Sequence, residues 1–301
     1  MEGNKTCVLA LSSGGARGFA HIGVIEGLLE NNYTIKAISG CSMGALVAGV
    51  FAAGKLDEFK TWACALNRGD VFRLYDFVFS AQGILKGERV FNEIKKFVPD
   101  QLIESLPIQY FAVGTDLRNR KEIVFNSGSL HNAFRASSAI PGIMKPFVVD
   151  GIEIHDGGIM NPLPVDLLPK MKDVLTIAVD VCAGIPFLPV PQPESHIKTD
   201  HEYRKKLDDF LKNWIGITRD AKTAKSTPEI KQFGFFDLLL KSTDLMQDKL
   251  TEKIIQISQP DLVIHASREA FGTFDFHRAA DIIEYGRKQL HEALQEVEIS
   301  K

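Results

Sequence analysis

A serine flanked by glycines two residues away on either side, Gly40-Cys41-Ser42-Met43-Gly44, is the residue in this chain best placed for nucleophilic chemistry. An apolar stretch at 35–39 precedes it and a run of small and apolar residues at 45–54 follows. Ser42 is therefore expected on a sharp strand-to-helix turn, in strained dihedrals, with its hydroxyl projecting from the end of a sheet. Gly40 and Gly44 let the strand and helix approach closely. The helix beginning at Met43 aims its N-terminal N–H groups at the serine and favours the negative charge of a tetrahedral intermediate. The chemistry implied is acyl transfer through a covalent intermediate. Such a five-residue pattern arises by chance in roughly one chain of this length in ten, but the strand before it and the helix after it are what the mechanism requires.

A second constellation is the glycine loop Ser12-Ser13-Gly14-Gly15-Ala16-Arg17-Gly18. Successive glycines at a helix N-terminus expose backbone N–H groups and form an anion-binding concavity. An oxyanion hole and a nucleotide-phosphate cradle are the two functional readings, and a plain tight turn is the third. The cradle is weak, because the spacing is not Gly-x-Gly-x-x-Gly and no Gly-Lys-Ser/Thr follows. With strands one and two as neighbours, Gly14 and Gly15 emerge beside Ser42, which suits an oxyanion hole. Arg17 either braces the loop through carbonyls or meets an anionic headgroup, and the bracing role is the better fit.

The third constellation is Asp156-Gly157-Gly158, an acid on a tight turn where its carboxylate could accept a serine proton directly. A serine nucleophile ordinarily uses a histidine oriented by a carboxylate. The histidines offer no clear third member. His155 points to the opposite strand face from Asp156, and His21 lies in the first helix. His265 and His277 come late enough for a Ser-Asp-His order.

These residues must be positioned by alternating elements. Residues 7–11 read as a buried strand, 19–30 as a helix, 35–39 as a strand and 45–54 as a helix, with Gly54 suited to a left-handed C-terminal position. Strands follow at 108–114 and 122–126, a hairpin at 147–154 turning on Asp150-Gly151, and strands at 173–181 and 261–265. Long amphipathic helices are expected at 235–257 and 277–297. The stretch 68–87 reads as aromatic-rich and irregular. The order predicts an α/β fold with a mainly parallel central sheet between helical layers. A single domain over 1–301 is expected, with its core motifs in 7–182, a variable insertion at about 184–234, and a closing strand and helices at 235–298.

Bulk properties narrow the field. The chain has 301 residues, 45% of them hydrophobic and 24% charged, and a net charge of -3, which gives no reason to expect nucleic acid. No apolar run reaches the roughly 20 residues that span a bilayer, and the first residues lack a signal-peptide pattern. Cys7, Cys41, Cys64 and Cys182 are scattered, without metal-ligand spacing. They favour a reducing, cytoplasmic setting, no disulfide framework, no metal and no cofactor.

Taken together, Gly-Gly-Ala-Arg-Gly at 14–18, Gly-Cys-Ser-Met-Gly at 40–44 and Asp-Gly-Gly at 156–158 closely resemble the patatin-like phospholipase family in order and spacing. Ala20-His21-Ile22-Gly23-Val24, Ala136-Ser137-Ser138-Ala139-Ile140-Pro141-Gly142 and Asn161-Pro162-Leu163-Pro164-Val165 are similar too. The resemblance covers 1–182 and touches a closing segment at Phe274-Asp275-Phe276-His277. It implies a three-layer α/β/α patatin-like fold and a Ser42–Asp156 dyad with no histidine base. It also implies an oxyanion hole at Gly14 and Gly15 with Arg17 close by, supported by Gly40, Gly44, Gly157 and Gly158. The implied activity is metal-free hydrolysis of acyl esters of phospholipids and related lipids through an acyl-enzyme. Ser13 departs from the family, standing where many members carry another glycine.

A lipid substrate needs an apolar entrance. Over 196–241 there are ten Lys/Arg against seven Asp/Glu, a net of +3, interleaved with Phe210, Leu211, Trp214, Ile215, Ile217, Phe233, Phe235 and Phe236. This segment reads either as a helical lid or dimer contact packed on the body, or as a peripheral contact with an anionic bilayer. Residues 71–79 line an acyl pocket or form core. Two other functions fit parts of the pattern: a regulatory or scaffold protein of low turnover on the same fold, and a conventional Ser-Asp-His α/β hydrolase.

Overall fold

The computed structural model describes residues 5–78, 80, 83–187 and 235–299. Ten strands fall at β1 Lys5–Leu11, β2 Tyr33–Cys41, β3 Gly83–Leu85, β4 Gln109–Asp116, β5 Lys121–Phe125, β6 Gly142–Met144, β7 Phe147–Val149, β8 Ile152–Asp156, β9 Leu175–Ala183 and β10 Leu262–Ser267. Eight α-helices are described: α1 Ala20–Glu30, α2 Met43–Ala52, α3 Leu56–Ala65, α4 Arg68–Leu74, α5 Glu88–Lys95, α6 Leu130–Ser137, α7 Phe235–Ser258 and α8 Ala279–Ile299.

The central sheet runs β10-β9-β1-β2-β4-β8-β7, with β5 on β4. The pairings from β10 to β4 are all parallel, and antiparallel β5, β8 and β7 close the far side. The mainly parallel sheet expected from the element order is present. β1 is buried at every position from Cys7 to Leu11, as a strand covered on both faces must be. One face, through Cys7, Leu9 and Leu11, joins a large core with α1, α2, α3 and α8. The other, through Val8, Ala10, Ala37 and Ala178, packs on Leu163, Val165 and Leu168 and on Ile254 and Ile255 of α7. The sheet thus lies between two covering layers of unequal thickness.

Several boundaries follow sequence logic closely. Asp150 and Gly151 both take positive φ, 50° and 79°, the turn that joins two strands of a tight hairpin. Gly54 closes α2 with φ 68°. The stretch 68–87 is more regular than its aromatic content suggested. It forms α4, capped by a reciprocal pair of hydrogen bonds between Asn67 and Asp70, and β3, paired with β6.

Residues Met1–Phe187 and Thr243–Lys301 make one compact unit, and Leu188–Ser242 makes another. The segment 188–234, and with it most of the amphipathic stretch at 196–241, lies outside the described residues. Among the described residues no helix is long and apolar enough to cross a membrane.

Candidate active site

Strand register brings Ser42 and Asp156 together. β5 occupies one edge of β4 over Ala112–Asp116, so β8 must pair on the edge that β2 uses. β2 ends with Cys41 opposite Val113, and β8 begins its pairing with Asp156 opposite Gly114, the next residue along. Asp156 therefore stands just beyond the end of β2, where Ser42 turns away into α2. Leu11, the last residue of β1, is level with Gly40 and with Val179. The chain goes from β1 to β2 on one side and returns through β9 on the other, so the glycine loop leaves the sheet where strand order reverses, the usual crevice in such sheets.

Ser42 has φ 54° and ψ -121°, a left-handed backbone that costs on the order of 1–3 kcal/mol for a residue with a Cβ. The surroundings enforce it. A Cβ on Gly40 would lie 2.4 Å from the Gly44 carbonyl, and one on Gly44 would lie 2.4 Å from the Ser12 carbonyl. The Ser42 N–H donates to Ser137 Oγ at 2.9 Å, and its carbonyl starts α2 by accepting from Leu46 at 3.1 Å. The side chain is nearly buried, at 5% exposure.

Asp156 is 3% exposed. Its Oδ1 accepts from the Gly158 N–H at 2.7 Å and faces the Cys41 thiol at 3.9 Å. Burial pushes the carboxyl from 3.8 up to about 6, against the opposing pull of the Ser42 hydroxyl, the Gly158 N–H and Cys41. Among the described residues Oδ2 has no partner within full hydrogen-bond geometry. Thr115 Oγ1 holds the Asp156 carbonyl at 3.0 Å and Ala139 accepts its N–H at 2.9 Å. A Cβ on Gly157 would lie 2.4 Å from the Val113 carbonyl, so this turn too is pressed against β4.

In the glycine loop the N–H groups of Ser12, Ser13, Ala16 and Arg17 are all bonded, to Val179, Pro162, Thr273 and Gly14. Among the described residues those of Gly14 and Gly15 have no partner. Two adjacent donors left open beside a serine can receive an oxyanion. Gly15 sits at φ 57°, and a Cβ there would lie 2.6 Å from the Thr273 carbonyl.

Arg17 is held by partners from outside the loop. Its Nε donates to the Phe271 carbonyl at 3.1 Å, Nη1 to Cys182 Sγ at 2.9 Å and Nη2 to Thr273 Oγ1 at 2.5 Å, with Asp244 of α7 at 3.6 Å. The guanidinium ties the loop to 271–273 and α7. Cys182 stays a neutral thiol, pushed up to about 11 by burial despite Arg17, and donates to the Ser13 carbonyl at 3.6 Å.

Among the described residues, His21, His265 and His277 have other neighbours. Burial lowers His21 to about 4, so the neutral ring holds the Ser12 carbonyl through Nε2 at 2.9 Å. His265 lies on β10, three strands from β2 and hence about 14 Å away across the sheet, beside Asp180 at 3.6 Å. His277 accepts from Arg68 at 3.2 Å, and His155 pairs across from Thr115.

A family model described as Patatin-like phospholipase matches residues 9–169, which include the glycine loop, Ser42 and Asp156. The chain belongs to the patatin-like phospholipase family. An uncharacterized NTE family protein of Mycobacterium tuberculosis is 36% identical over 331 aligned positions, covering 97% of this chain and 92% of the relative. A patatin-like phospholipase domain-containing protein of Caenorhabditis elegans is 28% identical, over 96% of this chain and 20% of its own length. Patatin-like phospholipase domain-containing protein 7 of Mus musculus is 32% identical over 58% of this chain and 13% of its own. Among solved structures, VipD from Legionella pneumophila is similar with a TM-score of 0.43 and 16% identity, over 97% of this chain and 67% of that one. Membership in this family of patatin-like phospholipases makes the chain a lipid acyl hydrolase at family level.

Other residues that build the patatin-like site carry no motif of their own. Ser137 is visible in sequence only inside a block of similarity, yet its hydroxyl fixes the nucleophile's N–H. Gln247 of α7 accepts from Ser13 Oγ at 3.1 Å and lies close against Gly158, so α7 touches both the loop and the aspartate turn. The Asn-Pro-Leu-Pro block works through carbonyls, Pro162 receiving the Ser13 N–H and Pro164 the Ser39 hydroxyl at 2.7 Å.

Proposed function

We propose that this protein hydrolyses acyl esters of phospholipids or related lipids, with Ser42 as nucleophile and Asp156 as its only general base. The observation that carries this reading is the placement of Asp156 at the end of β2, next to Ser42, with the open N–H groups of Gly14 and Gly15 across the crevice. Asp156 takes the hydroxyl proton as Ser42 Oγ bonds to the ester carbonyl carbon. The oxyanion is held by Gly14 and Gly15 and by the positive end of α2. Collapse of the tetrahedral intermediate breaks the bond to the alcohol, which leaves with the proton from Asp156. Water, deprotonated by the same carboxylate, then releases the fatty acid and restores Ser42.

A raised carboxyl suits this role. At a pKa near 6 Asp156 is ionised at neutral pH yet basic enough to share a serine proton in the transition state. In this reading one catalytic domain carries an insertion at about 184–234, and the stretch 196–241 serves either as a lid or dimer contact on the body or as a peripheral contact with an anionic bilayer. The four free thiols support a reducing, cytoplasmic compartment.

The test is labelling by a fluorophosphonate probe together with turnover on a panel of phospholipids, lysophospholipids and simple esters. Wild type should be labelled and active, and Ser42→Ala should be neither. An unlabelled, inactive wild type, or activity retained in Ser42→Ala, overturns the proposal.

A further inference from the structure

Ser13 sits one residue before the open N–H of Gly14 and takes no part in the proposed chemistry, yet it is buried and held at two points. Its N–H donates to the Pro162 carbonyl at 2.9 Å, and its hydroxyl donates to Gln247 Oε1 at 3.1 Å. The other end of the same amide, Nε2, lies against Gly158, where a Cβ would run into it. Gly158 is the residue whose N–H anchors Asp156 Oδ1 at 2.7 Å. One side chain therefore touches both the loop that carries the oxyanion donors and the turn that carries the base. Strand pairing makes no such link, since β1 pairs with β9 and β2, and β8 with β4 and β7.

Gln247 can hold these two pieces because its own backbone is pinned. Asp244, Gln247 and Asp248 fall at i, i+3 and i+4 and share one face of α7. Asp244 faces the Arg17 guanidinium at 3.6 Å, and Asp248 pairs with Arg268. One turn further on Thr251 is buried, and Ile254 and Ile255 pack on the second face of the sheet. Thr243 and the residues after it belong to the same compact unit as Ser42 and Asp156. A glutamine also suits the task chemically. Its oxygen accepts from the Ser13 hydroxyl while its NH2 faces the turn, and it brings no charge beside a carboxylate. A glutamate would set a second negative charge beside Asp156.

We propose that Gln247 is a positioning residue for acyl transfer, its amide setting the spacing between the Gly14–Gly15 donors and Asp156. It acts through Ser13 and Gly158 rather than on the substrate, and the inference rests on the Ser42–Asp156 reading.

The experiment compares the full chain as wild type, Gln247→Met, Ser13→Ala and the double variant on one ester substrate. Methionine keeps the length and bulk of the side chain and loses the amide. Gln247→Met should lower kcat about tenfold, the scale of one hydrogen bond, with KM and the unfolding midpoint unchanged. Ser13→Ala should lose part of the same factor, and the double variant no more than Gln247→Met alone, as two residues serving one contact must. Gln247→Glu should move the acid limb of kcat/KM to higher pH, because a charge beside Asp156 holds its proton. Amide hydrogen exchange should rise in Gln247→Met across both 12–18 and 156–160. Wild-type kcat in Gln247→Met overturns the proposal, as does a raised kcat, the mark of a side chain that blocks the crevice. Additive losses in the double variant, a loss matched by a lower unfolding midpoint, an unmoved acid limb in Gln247→Glu or unchanged exchange in both segments count against it equally. A wild type neither labelled by fluorophosphonate nor active sinks the Ser42–Asp156 reading and this inference with it. A labelled, active wild type whose variants match it sinks this inference alone.

Discussion

Replacing Asp156 with asparagine should make the protein inactive and more stable at the same time. The side chain is 3% exposed and its carboxyl is raised from 3.8 to about 6 in the folded state. Folding therefore opposes its ionisation by about two pKa units, and at about 1.4 kcal/mol per unit the charged form destabilises the native state by about 3 kcal/mol. The sign follows from proton binding: between pH 4 and pH 6 the folded protein holds this proton more tightly than the unfolded chain. The destabilisation is complete above pH 6 and gone below about pH 4. Asparagine is the same shape, keeps an acceptor for the Gly158 N–H and carries no charge at any pH. Denaturant unfolding should show Asp156→Asn more stable than wild type by about 3 kcal/mol at pH 8, the gain shrinking toward zero as pH falls to about 4. The same variant should lose at least roughly four orders of magnitude in turnover, the usual scale for removing a base that a nucleophile depends on. A variant no more stable than wild type at pH 8, a gain that does not change with pH, or retained turnover would refute the reasoning.

Three further outcomes follow. The pH profile of kcat/KM should fall with unit slope below about pH 6, as Asp156 protonates and can no longer accept the Ser42 proton; a flat profile through that region would exclude it as the base. Gly15→Ala puts a Cβ at φ 57° and 2.6 Å from the Thr273 carbonyl, so the loop must shift and turnover should drop about 100- to 1000-fold with Ser42 and Asp156 untouched. Wild-type turnover in that variant would show that the loop supplies no oxyanion donor. Arg17→Gln removes a guanidinium with four described partners and should lower stability by about 1–3 kcal/mol and slow fluorophosphonate labelling, whereas a direct oxyanion role would lower turnover with no loss of stability.

What could be read in the sequence was local. The Ser42 turn, the β1 loop and the Asp150-Gly151 hairpin each rest on residues within a few positions of one another, where glycine placement and apolar runs determine the backbone. The long amphipathic helices and the buried parallel strands were legible for the same reason. The short helices α3, α4, α5 and α6 were not anticipated, because seven to ten residues give too little periodicity to separate a helix from an apolar loop. The supports of the site were hidden for another reason. Ser137, Gln247, Thr273 and Cys182 act across 95 to 256 residues of chain, and a lone serine or glutamine gives no signal of the surface it will meet. Arg17 was legible as a loop residue, but its role depended on a carbonyl and a hydroxyl from the closing segment.

The absence of histidine from the proposed chemistry has a physical basis in the sheet itself. A histidine base needs a second carboxylate to orient it and a free edge from which to reach the serine. Here the edge next to β2 is taken by β8, whose last residue is the acid, so a carboxylate already occupies the position that an imidazole would need. Burial then supplies the basicity that an ordinary aspartate lacks. The two groups that donate to that carboxylate from fixed positions, the Gly158 N–H and the Cys41 thiol, both reach Oδ1. Oδ2 has no hydrogen-bond partner among the described residues. One oxygen anchored and the other without a partner is the arrangement that the proposed mechanism asks of a single aspartate, which must be held in position and still accept a proton.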